Sequence, residues 1–168
     1  MQNHIRDRIN QALQETFAED GLAKYLKALV IEGYRSEVTD GLIDVLSDQS
    51  RDRSERSNAE QLIYYLHGTG PALFFGEKIP DPRPENARRD EPLSDHQLQR
   101  ILDLALRERD ERLLGGLAAL LDVLYSVKPF TAANATRAKQ FVTHSMTFGD
   151  TYAVARSRSL SEKLQGHE

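Results

Sequence analysis

The chain has 168 residues, of which 39% are hydrophobic and 29% charged, with a net charge of −4 and no cysteine. This length and composition suit one globular domain with a sizeable core, far from the weakly hydrophobic, highly charged regime of disordered chains. The missing thiols exclude disulfides, thiolate nucleophiles, iron–sulfur clusters and cysteine-ligated zinc, and the acidic balance argues against coating nucleic acid through overall charge.

Ile5, Ile9, Ala12, Leu13 and Phe17 recur at helical spacing, which predicts a first helix closed by Asp20-Gly21. Leu22, Tyr25, Leu26, Leu29 and Val30 predict a second, capped by Asp20 and stopped at Gly33, a residue that tolerates the left-handed conformation. A third, with Val38, Leu42, Val45 and Leu46, has Thr39 or Asp40 as alternative caps and ends near Ser47-Asp48. After a charged stretch from Ser50 to Arg56, Ser57 and Glu60 have capping-box spacing, and Ala59, Leu62, Ile63 and Leu66 form the stripe of a fourth helix ended by Gly68.

Prolines at 80, 82, 84 and 92 and glycines at 68, 70 and 76 then interrupt the pattern, so a long loop is expected over 76–92. Beyond it, Ser94 and Gln97 form a capping box, with Leu93 and Leu98 as its hydrophobic staple, ahead of Ile101, Leu102, Ala105 and Leu106. Arg107-Glu108-Arg109-Asp110-Glu111-Arg112 reads as a solvated interlude. The run from Leu113 to Tyr125 is apolar around most of its circumference and is the expected central helix; Gly115-Gly116 within it points to close helix packing or a kink. Thr131 caps an alanine-rich helix through Ser145, Gly149-Asp150 ends it, and Asp150 caps a last helix with Tyr152, Ala153, Ala155 and Leu160. Strand content is expected near zero. The layout predicts an all-α protein, a small bundle of about six to seven helices in one domain (1–168), with lobes 1–75 and 93–168 joined by the Gly/Pro-rich linker 76–92.

The amino terminus carries charge where a signal peptide needs an apolar run, and Leu113 to Tyr125, interrupted by Asp122, is too short to span a bilayer. A cytoplasmic location with no membrane partner is the expectation. Charge is uneven: residues 1–50 carry 5 basic and 9 acidic groups, whereas 113–168 carry 6 and 4.

Arg137 and His144 stand two helical turns apart on one face, about 10 Å along the axis. The pair falls within the loose Arg-x(4–6)-His pattern and so resembles HEPN-type ribonucleases, which are all-α and usually dimeric. The resemblance implies an arginine that stabilises phosphorane charge and a histidine that transfers protons. It covers this motif alone; Ala138 stands where that family usually has a polar residue, and Arg89-x6-His96 is a second match.

Around the pair, Lys128, Arg137, Lys139, Arg156 and Arg158 face only Asp150 between 128 and 158, interleaved with hydroxyl side chains, a composition suited to phosphate contacts without base reading. Tyr64, Tyr65, Phe74 and Phe75, with His67, concentrate rings that serve either as core or as anchors for a protein partner. Arg51, Arg53 and Arg56 oppose the macrodipole of a helix start, so Arg53 and Arg56 join the candidate partner contacts. The histidines show no HExxH or ExxH spacing, Gly68-Thr69-Gly70 is not a P-loop, and no GxSxG elbow occurs; neither a metal centre nor a cofactor is expected.

The reading that follows is a non-catalytic helical subunit of a larger cytoplasmic assembly that contacts protein and, through its basic helices, a nucleic-acid backbone. In size and two-lobed helical layout it resembles the small subunits of CRISPR surveillance complexes. The alternative is a HEPN-like ribonuclease or toxin that brings Arg137 and His144 together across a homodimer; a third is a regulator or immunity protein that occludes a protein partner.

Overall fold

The computed structural model describes residues 3–14, 26, 28–30, 32–67, 73–74, 77–78 and 93–166. The chain is all-helical. Among the described residues are the helices α1 (Asn3–Gln14), α2 (Arg35–Ser47), α3 (Arg53–His67), α4 (Asp95–Ala105), α5 (Glu111–Val127), α6 (Ala132–Phe148) and α7 (Thr151–Gln165). The helical residues 28–30 make eight helices among the described residues where about six to seven were expected. Two-residue strands β1 (Leu73–Phe74) and β2 (Glu77–Lys78) pair antiparallel, Leu73 opposite Lys78. The rest of the expected 76–92 loop lies outside the described residues.

The chain divides into two compact units, Met1–Glu91 and Pro92–Glu168. In the first, α1 packs on α2 and α3, and α2 packs on α3. The core comprises Ile5, Ile9, Leu13, Leu42, Leu46 and Ile63 with their neighbours, all buried. Gly33 ends the helical stretch at 28–30 with φ 96°, and the Tyr34 amide returns to the Leu29 carbonyl at 2.9 Å, the closure a left-handed residue permits.

Two helix starts differ from the sequence expectation. Helix α3 begins a turn before Ser57, because the Asp52 carboxylate accepts the Glu55 amide at 2.8 Å and caps the helix there; Ser57 lies inside it and Glu60 is buried. Helix α2 begins at Arg35 with no side-chain cap, which leaves Thr39 in the helix interior. The Thr39 hydroxyl donates to the Arg35 carbonyl at 2.8 Å, so the His67 Nε2–H must donate to Thr39 Oγ1 at 2.7 Å.

One of the arginines read as anomalies, Arg56, is explained by a helix end. The last carbonyls of a helix lack intrahelical donors. Arg56 is buried, and its Nε donates to the Leu46 carbonyl near the end of α2 at 3.0 Å; Arg35 supplies the Leu66 carbonyl near the end of α3; Asn58 Nδ2 supplies Leu13 near the end of α1 at 3.1 Å. Arg51 bridges Glu55 at 2.9 Å and Asn10 at 3.2 Å. Arg56 therefore holds the end of α2, which accounts for its burial. Nearby, Asp48 accepts from the Ser50 hydroxyl at 2.6 Å and from the Ser50 amide at 3.0 Å; these bonds, helped by Arg51 and Arg56, hold its pKa below the usual 3.8. Its small stabilising effect is present above the ordinary carboxylate pKa and lost as pH falls through the lowered value. Ser50→Ala should move the Asp48 titration back up, read by carboxyl NMR.

The second unit begins as its sequence dictates. Ser94 Oγ accepts the Gln97 amide at 3.1 Å while the Gln97 side chain accepts the Ser94 amide at 3.2 Å, with Leu93 and Leu98 buried beside the box. Ser94→Ala should lower the stability of this unit by about 1 kcal/mol in urea melts. Asp110, Thr131 and Asp150 cap α5, α6 and α7.

Helices α4 and α6 run the same way: Asn134 near the start of α6 donates to the Asp95 carbonyl at the start of α4, and His144 near the end of α6 bonds the Glu108 carbonyl just past the end of α4. Helices α5 and α7 run parallel to each other and antiparallel to α4 and α6, with Gly115 beside Tyr152 and Asp122 beside Ser159. The result is an up-down-up-down bundle filled by Ile101, Leu114, Leu117, Leu121, Phe141 and Leu160.

Candidate functional site

Two of the five basic residues expected to contact phosphates, Arg137 and Arg156, lie beside acids of neighbouring helices. Arg137 turns to α4, with Nε 3.6 Å from the Asp103 carboxylate and Nη1 3.2 Å from Asn134 Oδ1. Arg156 turns to α5, where Nη2 lies 3.4 Å from the buried Asp122 carboxylate. Lys128, Lys139 and Arg158 are exposed. The intervening threonines spend their hydroxyls on their own helix: Thr136 donates to the Ala132 carbonyl at 3.0 Å and Thr147 to Thr143 at 2.9 Å, which leaves methyl groups outward.

Arg137 and His144 do share one flank of α6, and each is engaged there. The His144 ring bonds the Glu108 carbonyl through Nε2 and lies 5.0 Å from the Phe148 ring centroid. Both side chains thus tie α6 to α4 and to the turn that follows it.

In the first unit, Tyr64 and Tyr65 are half-buried and meet edge to face at 5.9 Å. Arg53 is exposed at the start of α3. Phe74 lies on β1, with its side chain outside the described set, and Phe75 lies outside the described residues altogether. A half-open cavity of about 120 Å³ between α1 and α2 is lined by Arg6, Asn10, Asp44 and Arg51 among others; Arg51 already bonds Asn10 across it. Among the described residues, no cluster of three or more His, Asp or Glu side chains is placed to hold a metal ion.

The most distinctive surface is the turn between α4 and α5, where the sequence suggested only a solvated mixed-charge run. Its acids point at the backbone. Glu108 is buried, and its Oε2 accepts the amides of Arg109 and Asp110 at 3.0 and 3.2 Å; Asp110 accepts the amides of Arg112 and Leu113 at 3.0 and 3.3 Å, capping α5. These bonds hold the turn in shape and leave Arg107, Arg109 and Arg112 exposed, with no carboxylate of the described residues within ion-pair distance of any of the three. Glu111 is the exposed acid among them.

The Arg109 guanidinium lies 4.7 Å from the centroid of the Phe148 ring, whose other neighbour is His144. This cation–π contact favours a defined place for a guanidinium that is otherwise exposed. Phe148 is 38% exposed and Tyr152, the second residue of α7 and seated beside Gly115 of α5, is 55% exposed. Arginines and rings therefore meet at the end of the bundle that also holds the starts of α5 and α7. The legible signal for this arrangement was Asp110, an N-cap residue ahead of the apolar run at Leu113. Comparison of the chain with protein-family models, curated proteins and solved structures finds no match.

Proposed function

We propose that the protein is a non-catalytic helical subunit of a larger cytoplasmic assembly and works by contact, with protein and with a nucleic-acid backbone. The observation that supports this reading is the division of labour among its polar groups. Arg137, His144, Arg156, Asp122 and His67 are all engaged in joining helix to helix, whereas the α4–α5 turn leaves its arginines exposed and the α6–α7 corner leaves Phe148 and Tyr152 exposed. Arginine and aromatic side chains at an exposed corner are the residue types that dominate contact energies.

The test is a mild-salt pull-down of the tagged chain from its own host, with co-purifying proteins identified by mass spectrometry and nucleic acid read from the absorbance ratio. Stoichiometric protein partners are the expected result. A solitary homodimer that cleaves RNA, with the cleavage lost in a folded His144→Ala variant, would replace this reading with the ribonuclease alternative.

A further inference from the structure

We infer that the α4–α5 turn is a binding site for single-stranded nucleic acid, with Arg107, Arg109 and Arg112 on the phosphates and Tyr152 as a stacking platform for a base. The inference rests on the contact-subunit reading and names the partner of one surface.

Charge complementarity is the first argument. Six consecutive residues carry three arginines and three acids, which at the level of composition cancel. In the fold they do not present themselves equally: Glu108 and Asp110 are each bonded to two backbone amides, and the three guanidinium groups face solvent. A polyanion approaching this corner meets the cations first.

Geometry is the second argument. The exposed Arg109 guanidinium lies over Phe148, 4.7 Å from its ring centroid, and a guanidinium can make two parallel hydrogen bonds to phosphate oxygens. Tyr152, more than half exposed, offers a ring face that any base can stack on. Phe148 itself is flanked by Arg109 and His144, so it positions the arginine and is not the platform. Exposed rings beside exposed arginines favour an unpaired strand, whose bases are open to stacking, over an acidic peptide, which would use the arginines alone.

Fluorescence anisotropy with a labelled oligouridylate of about 16 nucleotides tests this on the full chain. Binding should weaken as salt rises. Arg109→Ala/Arg112→Ala should cost at least about tenfold in affinity and flatten the log–log salt slope by about 1.4, since about 0.7 is lost per phosphate contact on a single strand. Tyr152→Ala should cost about fivefold or more with the slope unchanged. Arg8→Ala, an exposed arginine on α1 of the first unit, should change affinity less than about twofold. Circular dichroism confirms that each variant is folded, and Arg109→Lys, which keeps the charge and loses the planar stack, should fall between wild type and the double variant.

Absence of salt-sensitive binding, indifference to the arginine double variant, or equally effective competition by polyglutamate would each overturn the inference. A chain that still captures a stoichiometric protein partner while failing to bind oligouridylate would overturn this inference and leave the assembly reading standing. A chain that binds oligouridylate through Arg109 and Arg112 yet has no protein partner would do the reverse.

Discussion

Asp122→Ala should destabilise the second unit by about 2–3 kcal/mol, the larger of the electrostatic effects expected in this chain. Its carboxylate is only 4% exposed and lies on α5, otherwise an apolar helix. It gathers α7 at three points: Lys163 Nζ at 2.8 Å, Arg156 Nη2 at 3.4 Å and the Ser159 hydroxyl at 3.2 Å. Removing it leaves two like charges beside an apolar helix, which is costly; both cations are about a third exposed and can turn to water, which keeps the loss below that of a fully buried pair. Asp122→Asn should recover part of the loss, because an amide can still accept from Ser159. Lys163→Met alone should cost less than about 1 kcal/mol, as expected of a partly solvated partner. Urea melts followed by circular dichroism read all three. A loss below about 0.5 kcal/mol for Asp122→Ala would mean that α7 is held on α5 by apolar packing alone.

Local signals explain what the sequence made legible and tertiary partners explain what it did not. Ser94 with Gln97, Gly33, Thr131 and Asp150 act within four residues of themselves, and each does in the fold what its spacing implied. The start of α3 was misplaced because two local signals competed, Asp52 and Ser57, and the earlier one captures the Glu55 amide. The arginines were harder. Arg56 and Arg35 find carbonyls ten and thirty-one residues away, at ends of helices that no periodicity identifies as their neighbours. Arg137 and Arg156 read as surface cations until Asp103 and Asp122 are brought beside them.

The candidate site was hidden for the opposite reason. A run of alternating charges looks neutral when counted, and its net effect depends on which members bond the backbone. Asp122 illustrates the same point in reverse: in the sequence it merely interrupts the longest apolar stretch, and in the fold it is the polar anchor of that helix. Fold class follows from periodicity, which is a property of the chain; the direction a charge faces follows from caps and neighbours, which are properties of the packed unit.

The second large effect is steric. Gly149→Ala should destabilise the second unit by about 2–3 kcal/mol, whereas Gly115→Ala should stay within about 1 kcal/mol of wild type. Gly149 closes α6 and is followed after one residue by α7, so the two helices diverge from a corner with no spare room. A Cβ there would stand 2.5 Å from the Ala153 Cβ and 2.5 Å from the Ser145 carbonyl, which already accepts the Gly149 amide at 2.7 Å. Neither neighbour can yield cheaply, since one is backbone and the other is a fully buried methyl. At Gly115 the added methyl would meet Tyr152 Cδ1 at 3.0 Å, on a ring 55% exposed that can tilt outward, and alanine gains helix propensity of about 1 kcal/mol in return. Urea midpoints of the two variants measure the contrast, and equal midpoints would show that the α6–α7 corner relaxes around a methyl group. The Gly115 variant carries a second readout: a methyl that displaces Tyr152 should weaken oligouridylate binding without moving the salt slope, which separates the stacking ring from the arginines beside it.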